Sequence, residues 1–502
     1  MPKLPSIEIA LQQGELDLIT HLIRSDANVH YVRDHRYNAM IDAACSRDAV
    51  NNQDLLKILS LLIREGVDLN QVSSYSETAL RVLSRIGRFD AVGLLLDAGA
   101  DESQLAWTPL LRAVALGSVA DVREQIAAGE SIACKDHWER TPWLIAVQTG
   151  DAEKAQCLLD SGAATDARGK CDKPCLHYAV LGRDPAMLRR LLELGVDVDL
   201  TDEFGGTALG LAVDFDDLEC VETLLGFGAS ITIDPHGPLL GEAISDNVAA
   251  CLLENGAELR HLPTALRRAR VGLPPEKPLA PIDCTAADFA EGRSRRFGRE
   301  NPEEMHSRFW MAMIMSGAGA YRATDQFQGP SSLDAGPVWC AERFGQSYTP
   351  LEDGRVIEIG GEHEDSYDSD FCIYNDVFVH QPGEATRIFG YPKTVFPPTD
   401  FHTTTLIGNS IYVVGSLGYR GERRYGQTQV FRLNTSTLHM ERLTTSGDGP
   451  GWISEHRAEL IAGQMIRVSE GTILSSNRQR ETRVDNCHVY ELDVQTLVWR
   501  RS

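Results

Sequence analysis

Leu94-Leu95-Leu96-Asp97-Ala98-Gly99-Ala100-Asp101 decides how the first half of this 502-residue chain folds, because the phrase returns. It recurs as Leu158-Leu159-Asp160-Ser161-Gly162-Ala163, as Leu191-Leu192-Glu193-Leu194-Gly195-Val196-Asp197 and as Leu224-Leu225-Gly226-Phe227-Gly228-Ala229. Its glycine sets the period. Gly66 to Gly99 is 33 residues, Gly99 to Gly129 is 30, and the steps to Gly162, Gly195 and Gly228 are 33 each. Gly256 follows 28 residues later. A fixed period near 33 predicts a stacked repeat, in which each unit buries its apolar face only against its neighbours.

A second phrase lies about twelve residues after most of these glycines. It reads Thr78-Ala79-Leu80, Thr108-Pro109-Leu110, Thr141-Pro142-Trp143, Lys173-Pro174-Cys175-Leu176-His177-Tyr178-Ala179 and Thr207-Ala208-Leu209. Thr is suited to cap a helix, and Pro at the first helical position fixes φ where its missing N–H is not needed. Gly after the second helix supplies the left-handed residue that stops it. Small residues at Ala113, Ala146, Ala179 and Ala212 let paired helices approach closely. Together the two phrases resemble ankyrin repeats, in which Thr-Pro-Leu-His-x-Ala opens the first helix and Leu-Leu-x-x-Gly-Ala closes the second. The resemblance implies an α-solenoid over residues 1–261, with about seven to eight repeats including caps. Ile7 to Ile23 has the helical stripe of an N-terminal cap, and the short last step suggests a C-terminal cap. Extra residues around Ser46 to Asp54 predict an insertion between two helices.

Hydrophobic residues make up 43% of the chain and charged residues 24%, ordinary values for a globular protein. The formal net charge of −24 argues against nucleic acid or an anionic membrane as partner, since phosphate binding needs clustered Lys and Arg. It is compatible with a basic protein partner. No N-terminal signal pattern and no long apolar run is expected to reach a membrane, and eleven scattered cysteines suggest a reduced, cytoplasmic protein. Cys171 and Cys175 lack a second pair at zinc spacing.

The array carries no catalytic constellation. Ankyrin stacks bind partners through hairpin tips and the inner-helix face, so the resemblance directs attention to residues just before each Thr-Pro position. The candidate partner-binding residues are His35, Tyr37, Tyr75, Glu77, Trp138, Arg140, Lys170, Asp172, Glu203 and Phe204. Aromatic and Arg side chains are common interface anchors. Trp107 is expected to pack inside instead.

Residues 262–337 read as a Pro- and Arg-rich connector. Pro263, Pro274, Pro275, Pro278 and Pro281 interrupt helices, and one apolar helix face is expected from Phe309, Trp310, Met313, Ile314 and Ala318. From residue 338 to 502 the period changes from helical to alternating. Val356-Ile357-Glu358-Ile359-Gly360-Gly361, Ile411-Tyr412-Val413-Val414-Gly415 and Met465-Ile466-Arg467-Val468 read as strands. Leu351, Leu406 and Leu460 align at spacings of 55 and 54. This stretch resembles kelch repeats in about three blade-like units, with departures: only Gly360-Gly361 is a full glycine pair, and only Trp499 stands at the Trp position. Propellers have typically 4–8 blades. Three units leave a divergent blade in the connector, an open array covered by the ankyrin stack, or two chains completing a ring.

Polar groups in this half are Glu362 to Asp370, Asp400-Phe401-His402 and Glu455-His456-Arg457. A solvated acidic loop, with His side chains bonding backbone across blades, is the preferred reading, so no metal and no cofactor is expected. The residues that would hold a divalent ion or carry acid–base chemistry are His363, Asp365, Asp368, Asp370, His402 and His456. The expected fold class is therefore a multidomain α + β chain: an N-terminal ankyrin α-solenoid followed by an all-β kelch-like domain, a partial or divergent propeller. The expected function is a non-enzymatic protein–protein interaction module or scaffold. The alternatives are an immunity-type inhibitor of a basic toxin or nuclease, and a metal-dependent or enzymatic site in the kelch-like domain.

Overall fold

A computed structural model describes residues 5–46, 49–50, 52–232, 235, 237–276, 280–364, 371–461, 463–477 and 480–502. The chain divides into two compact units, Met1–Ala257 and Glu258–Ser502.

The first unit is a series of helix pairs. Central ones are Ala79–Arg85 with Phe89–Asp97, Pro109–Leu116 with Val119–Ala127, Pro142–Gln148 with Ala152–Asp160, Cys175–Leu181 with Pro185–Glu193, and Ala208–Asp214 with Leu218–Gly226. The repeated Thr does what its position predicts. Thr78, Thr108, Thr141 and Thr207 accept from the amides of Arg81, Leu111, Leu144 and Gly210 at 3.1 to 3.4 Å. The copy at Lys173-Pro174 lacks Thr, and its helix starts with no side-chain cap. The repeated glycine is needed for φ alone. Gly99, Gly162 and Gly195 have φ of 95°, 89° and 86°, and a Cβ there would meet nothing within 4 Å.

One apolar core runs from Ile7 to Leu105. It ends where the glycine period drops to 30 residues, after a short turn of helix, Glu102–Leu105, closed by Ala106 in the left-handed region. Polar side chains bridge this junction. The Trp138 indole donates to Arg81 O at 3.0 Å, and Gln148 donates to Arg85 O at 2.9 Å. Arg140 reaches Ser84 O at 2.7 Å.

The second unit holds three antiparallel four-stranded meanders. Their strands are Ser347–Pro350, Val356–Ile359, Val377–His380 and Arg387–Gly390; then Thr403–Ile407, Ser410–Val414, Val430–Asn434 and Met440–Arg442; then Arg457–Ile461, Met465–Ser469, Tyr490–Asp493 and Val498–Arg501. The 55-residue spacing appears as a contact between first strands: Thr349 and Thr404 share a hydroxyl hydrogen bond of 2.9 Å. Trp452–Ser454, Thr472–Asn477 and Arg480–Asp485 form a separate three-stranded sheet. Among the described residues the sheets are not joined into a closed barrel or ring.

Apolar layers fill the spaces between meanders. Phe389, Phe396, Phe431 and Leu433 lie in one layer; Val414, Ile453, Ile466 and Trp499 lie in the next. A third layer is built from residues 262–337. Helices Ala286–Gly292, Arg308–Ser316 and Ala320–Phe327 place Phe289, Phe309, Trp310 and Ala323 in one core with Trp339, Tyr374, Phe378 and Ile388. The expected apolar face of Phe309, Trp310, Met313, Ile314 and Ala318 is buried there. Trp310 and Trp339 stack with centroids 4.7 Å apart, and the Trp310 indole donates to Gly292 O at 2.6 Å. Burying each such aromatic contributes roughly 1.5–3 kcal/mol, so Trp310→Ala would weaken the packing of these helices on the first meander.

Candidate functional site

The tips of the first unit are joined by a ladder of backbone hydrogen bonds. Ser74 N donates to His35 O at 2.8 Å, His137 N to Leu105 O at 2.9 Å, Lys170 N to Trp138 O at 2.9 Å, and Glu203 N to Cys171 O at 3.0 Å. His35, Ser76, Glu139 and Asp172 sit at positive φ, which lets each hairpin turn tightly enough to meet its neighbour. Residues far apart in sequence are thereby set in one row.

Side chains on this row differ in what they can offer a partner. Tyr75 and Phe204 are each 63% exposed. Tyr75 tilts against the His35 ring at 5.2 Å, which limits its rotamers without covering it. Tyr37 is half-buried and donates to Glu77 at 2.5 Å, while Arg85 holds the other Glu77 oxygen at 3.2 Å. That bond and burial push the Tyr37 phenol up to about 12. Trp138 is half-buried between two cations, Arg85 at 5.3 Å and Lys170 at 5.1 Å from its ring centroid. Lys170, Asp172 and Glu203 are exposed, and Asp172 accepts from Arg168 at 3.1 Å.

Arg140 is 0% exposed. Its guanidinium donates to Asp136 Oδ2 at 2.9 and 2.6 Å, Ser84 O at 2.7 Å, Gln148 Oε1 at 2.6 Å and Ser84 Oγ at 2.6 Å. All five N–H donors of the group are used inside the protein. Arg140 ties repeats together and has no surface for a partner to touch.

In the second unit the histidines are cross-meander ties. His402 Nε2 meets Ser347 Oγ at 3.0 Å, and His456 Nε2 meets Thr403 Oγ1 at 2.7 Å. The same position is tied twice because the backbone repeats too. Phe401 N donates to Gly345 O and Glu455 N to Phe401 O, each at 2.9 Å. The Glu455 carbonyl receives no further meander; Arg260 donates to it at 3.0 Å. Burial pushes both imidazoles down to about 3, so they are neutral. His363 is buried separately, with Nδ1 3.1 Å from Glu342 O. Asp365, Asp368 and Asp370 lie outside the described residues. Among the described residues no three His, Cys, Asp or Glu side chains come together as metal ligands.

Glu362 and Asp400, beside these ties, form an acid pair. Asp400 is buried and accepts from Gly418 N at 2.6 Å and Ser416 Oγ at 3.2 Å. Burial and the Asp400 charge raise Glu362 to about 8, so near neutrality Glu362 keeps its proton.

Exposed apolar groups that the spacing of tips did not indicate are Leu194, Phe227 and Ile244. A signal for this region was present in the charges: from Leu191 to Ala257 the sequence has fourteen Asp and Glu and no Lys or Arg.

Comparison with known proteins agrees with the helix pairs. Residues 176–225 match the family model for ankyrin repeats (many copies). A homolog of transient receptor potential cation channel subfamily A member 1 from Caenorhabditis elegans is 27% identical over 180 residues, covering 35% of this chain and 15% of that protein. Ankyrin repeat protein nuc-2 of Neurospora crassa is 28% identical over 184 residues, with 35% and 17% covered. The human subfamily A member 1 channel is 26% identical over 273 residues, with 50% and 24% covered. The chain thus spans less than a quarter of the length of these relatives. The N-terminal region is thus ankyrin-like, with residues 176–225 matching repeats that generally serve protein interaction.

Proposed function

We propose that the ankyrin array of this chain recognises a basic protein partner, and that residues 1–261 act as the recognition module. The observation that carries the reading is charge. Its last repeats contain fourteen carboxylates and no Lys or Arg over Leu191 to Ala257. Cations of the preceding repeats offset some of them, as Lys173 does Asp202 at 3.3 Å and Arg183 does Asp217 at 3.8 Å. Such a single-sign field attracts a cationic partner and speeds its approach. The anchors are the tip residues with open surface: Tyr75, Trp138, Lys170, Glu203 and Phe204. His35, Tyr37, Glu77 and Asp172 hold the row around them.

The strand-rich unit is read as a kelch-like array of three blades, supported by the 54–55-residue spacing of its first strands and by the repeated His ties. It serves as a second binding surface.

The test is a titration of the intact chain with a panel of Lys/Arg-rich and Asp/Glu-rich proteins. Basic members bind, binding weakens steeply with salt, and Glu203→Lys with Phe204→Ala lowers affinity at unchanged stability. Binding that ignores partner charge and salt would sink the proposal.

A further inference from the structure

Inside the second unit, a chamber of about 20 Å³ lies between helix Thr264–Arg270 and the first meander. Three of the side chains lining it each bring one buried polar atom with no protein partner in hydrogen-bond reach: Arg267 Nε, Gln346 Nε2 and Glu358 Oε1. Gln346 and Glu358 are more than nine-tenths buried. Arg267 Nε and Glu358 Oε1 stand 3.8 Å apart, too far for a direct hydrogen bond. Leaving three such atoms unsatisfied would cost about 1–3 kcal/mol each.

We infer that this chamber is the binding site of one structural water, which accepts from Arg267 and Gln346 and donates to Glu358. The size admits this occupant and excludes larger ones, because a water needs at least about 10–15 Å³ of such space. Two donors and one acceptor are the complement of a water molecule. The Glu358 carboxylate repels an anion and the Arg267 guanidinium repels a cation. Burial opposes ionisation of Glu358, but its bond to His380 and the charges of Arg267 and Arg343 outweigh that and hold it below the usual range.

The water completes a chain that leads outward. His380 Nε2 lies 3.0 Å from Glu358 Oε2, and its Nδ1 lies 2.9 Å from Thr386 Oγ1. Thr386 lines a separate cleft of about 1220 Å³ between helices Ala286–Gly292 and Arg308–Ser316 and strand Arg387–Gly390. Where Nε2 carries the single His380 proton, the Thr386 hydroxyl donates to Nδ1 and can only accept from a group in that cleft.

A crystal structure of the intact chain that shows ordered waters tests the site directly. One density peak within hydrogen-bond distance of Arg267 Nε, Gln346 Nε2 and Glu358 Oε1 is expected. A dry chamber, or Arg267 bonded straight to Glu358, overturns the inference. Water relaxation dispersion gives a second readout: Gln346→Met loses one long-lived water, and an unchanged count argues against the site. Nitrogen NMR of His380 then reads the relay, with Nε2 protonated and Nδ1 not; the opposite tautomer breaks the chain to the cleft.

Discussion

Replacing Arg140 with Met tests whether this residue belongs to the fold or to a partner surface. The change removes five hydrogen bonds spanning 2.6 to 2.9 Å, two to Asp136, two to Ser84 and one to Gln148. Arg140 and Asp136 have side chains 0% and 1% exposed, so solvent cannot replace the lost charge. Breaking a buried pair by removing one partner costs about 3–5 kcal/mol, a large share of the roughly 5–15 kcal/mol that holds a domain together. Helix Ala79–Arg85 would keep only the Trp138 and Gln148 ties to the repeat that begins near Asp136, across the place where the apolar core from Ile7 ends. Opening should therefore be local to this junction. The assay is urea unfolding of the intact chain together with hydrogen exchange of the amides in Ala79–Arg85 and Pro142–Gln148. Exchange should speed up there by two or more orders of magnitude, the equivalent of about 3 kcal/mol. Asp136→Asn in the Arg140→Met background should return part of the loss, because it removes the stranded charge and keeps the turn geometry. A loss under about 1 kcal/mol, with weakened partner binding, would refute the structural role and restore Arg140 to the interface.

Tyr75→Ala and Phe204→Ala should shift stability by no more than about 0.5 kcal/mol, as exposed sites do, while weakening partner binding tenfold or more; calorimetry of both quantities separates anchors from packing. Stability of the second unit should peak between about pH 6 and 7. Glu362 is raised to about 8, so its penalty grows as pH rises from near 4.5 to 8; His402 and His456 are lowered to about 3, so the stability they carry is lost as pH falls below 6.5. A thermal scan from acid to mild base that shows a plateau across neutrality would contradict these environments. His456→Ala should cost about 2–4 kcal/mol by leaving the Thr403 hydroxyl and a cavity behind, and a chelator should leave the unfolding curve of the parent chain unmoved. A chelator-induced drop in midpoint would instead place a metal in this unit.

Local chemistry made the ankyrin-like array legible. Gly99, Gly162 and Gly195 occupy φ values that other residues adopt at a cost, and Thr78, Thr108, Thr141 and Thr207 sit one residue before helices they cap. These are nearest-neighbour effects, so their spacing carries the repeat. Short apolar runs similarly identified the central strands, of which Met465–Ser469 alternates in burial while Val356–Ile359 is buried on both faces. The apolar face around Trp310 was legible as well, but not what it would meet.

Burial and partnership were decided by tertiary structure. Trp138 and Arg140 stand two residues apart on one hairpin, yet one keeps surface and the other has none, because Ser84 and Asp136 converge on the second alone. The sequence favours cross-blade bonds for His402 and His456 over metal ligation, but not their partners; the stacking of first strands 53 to 55 residues apart makes these the hydroxyls of Ser347 and Thr403. The helices within 262–337 join the core of the first meander because Trp339 and Phe378 offer an apolar face that no short-range pattern reveals. Sequence determines conformation where the competing forces act within a few residues. Which polar group stays wet depends on what long-range packing brings against it, and there the sequence by itself is silent.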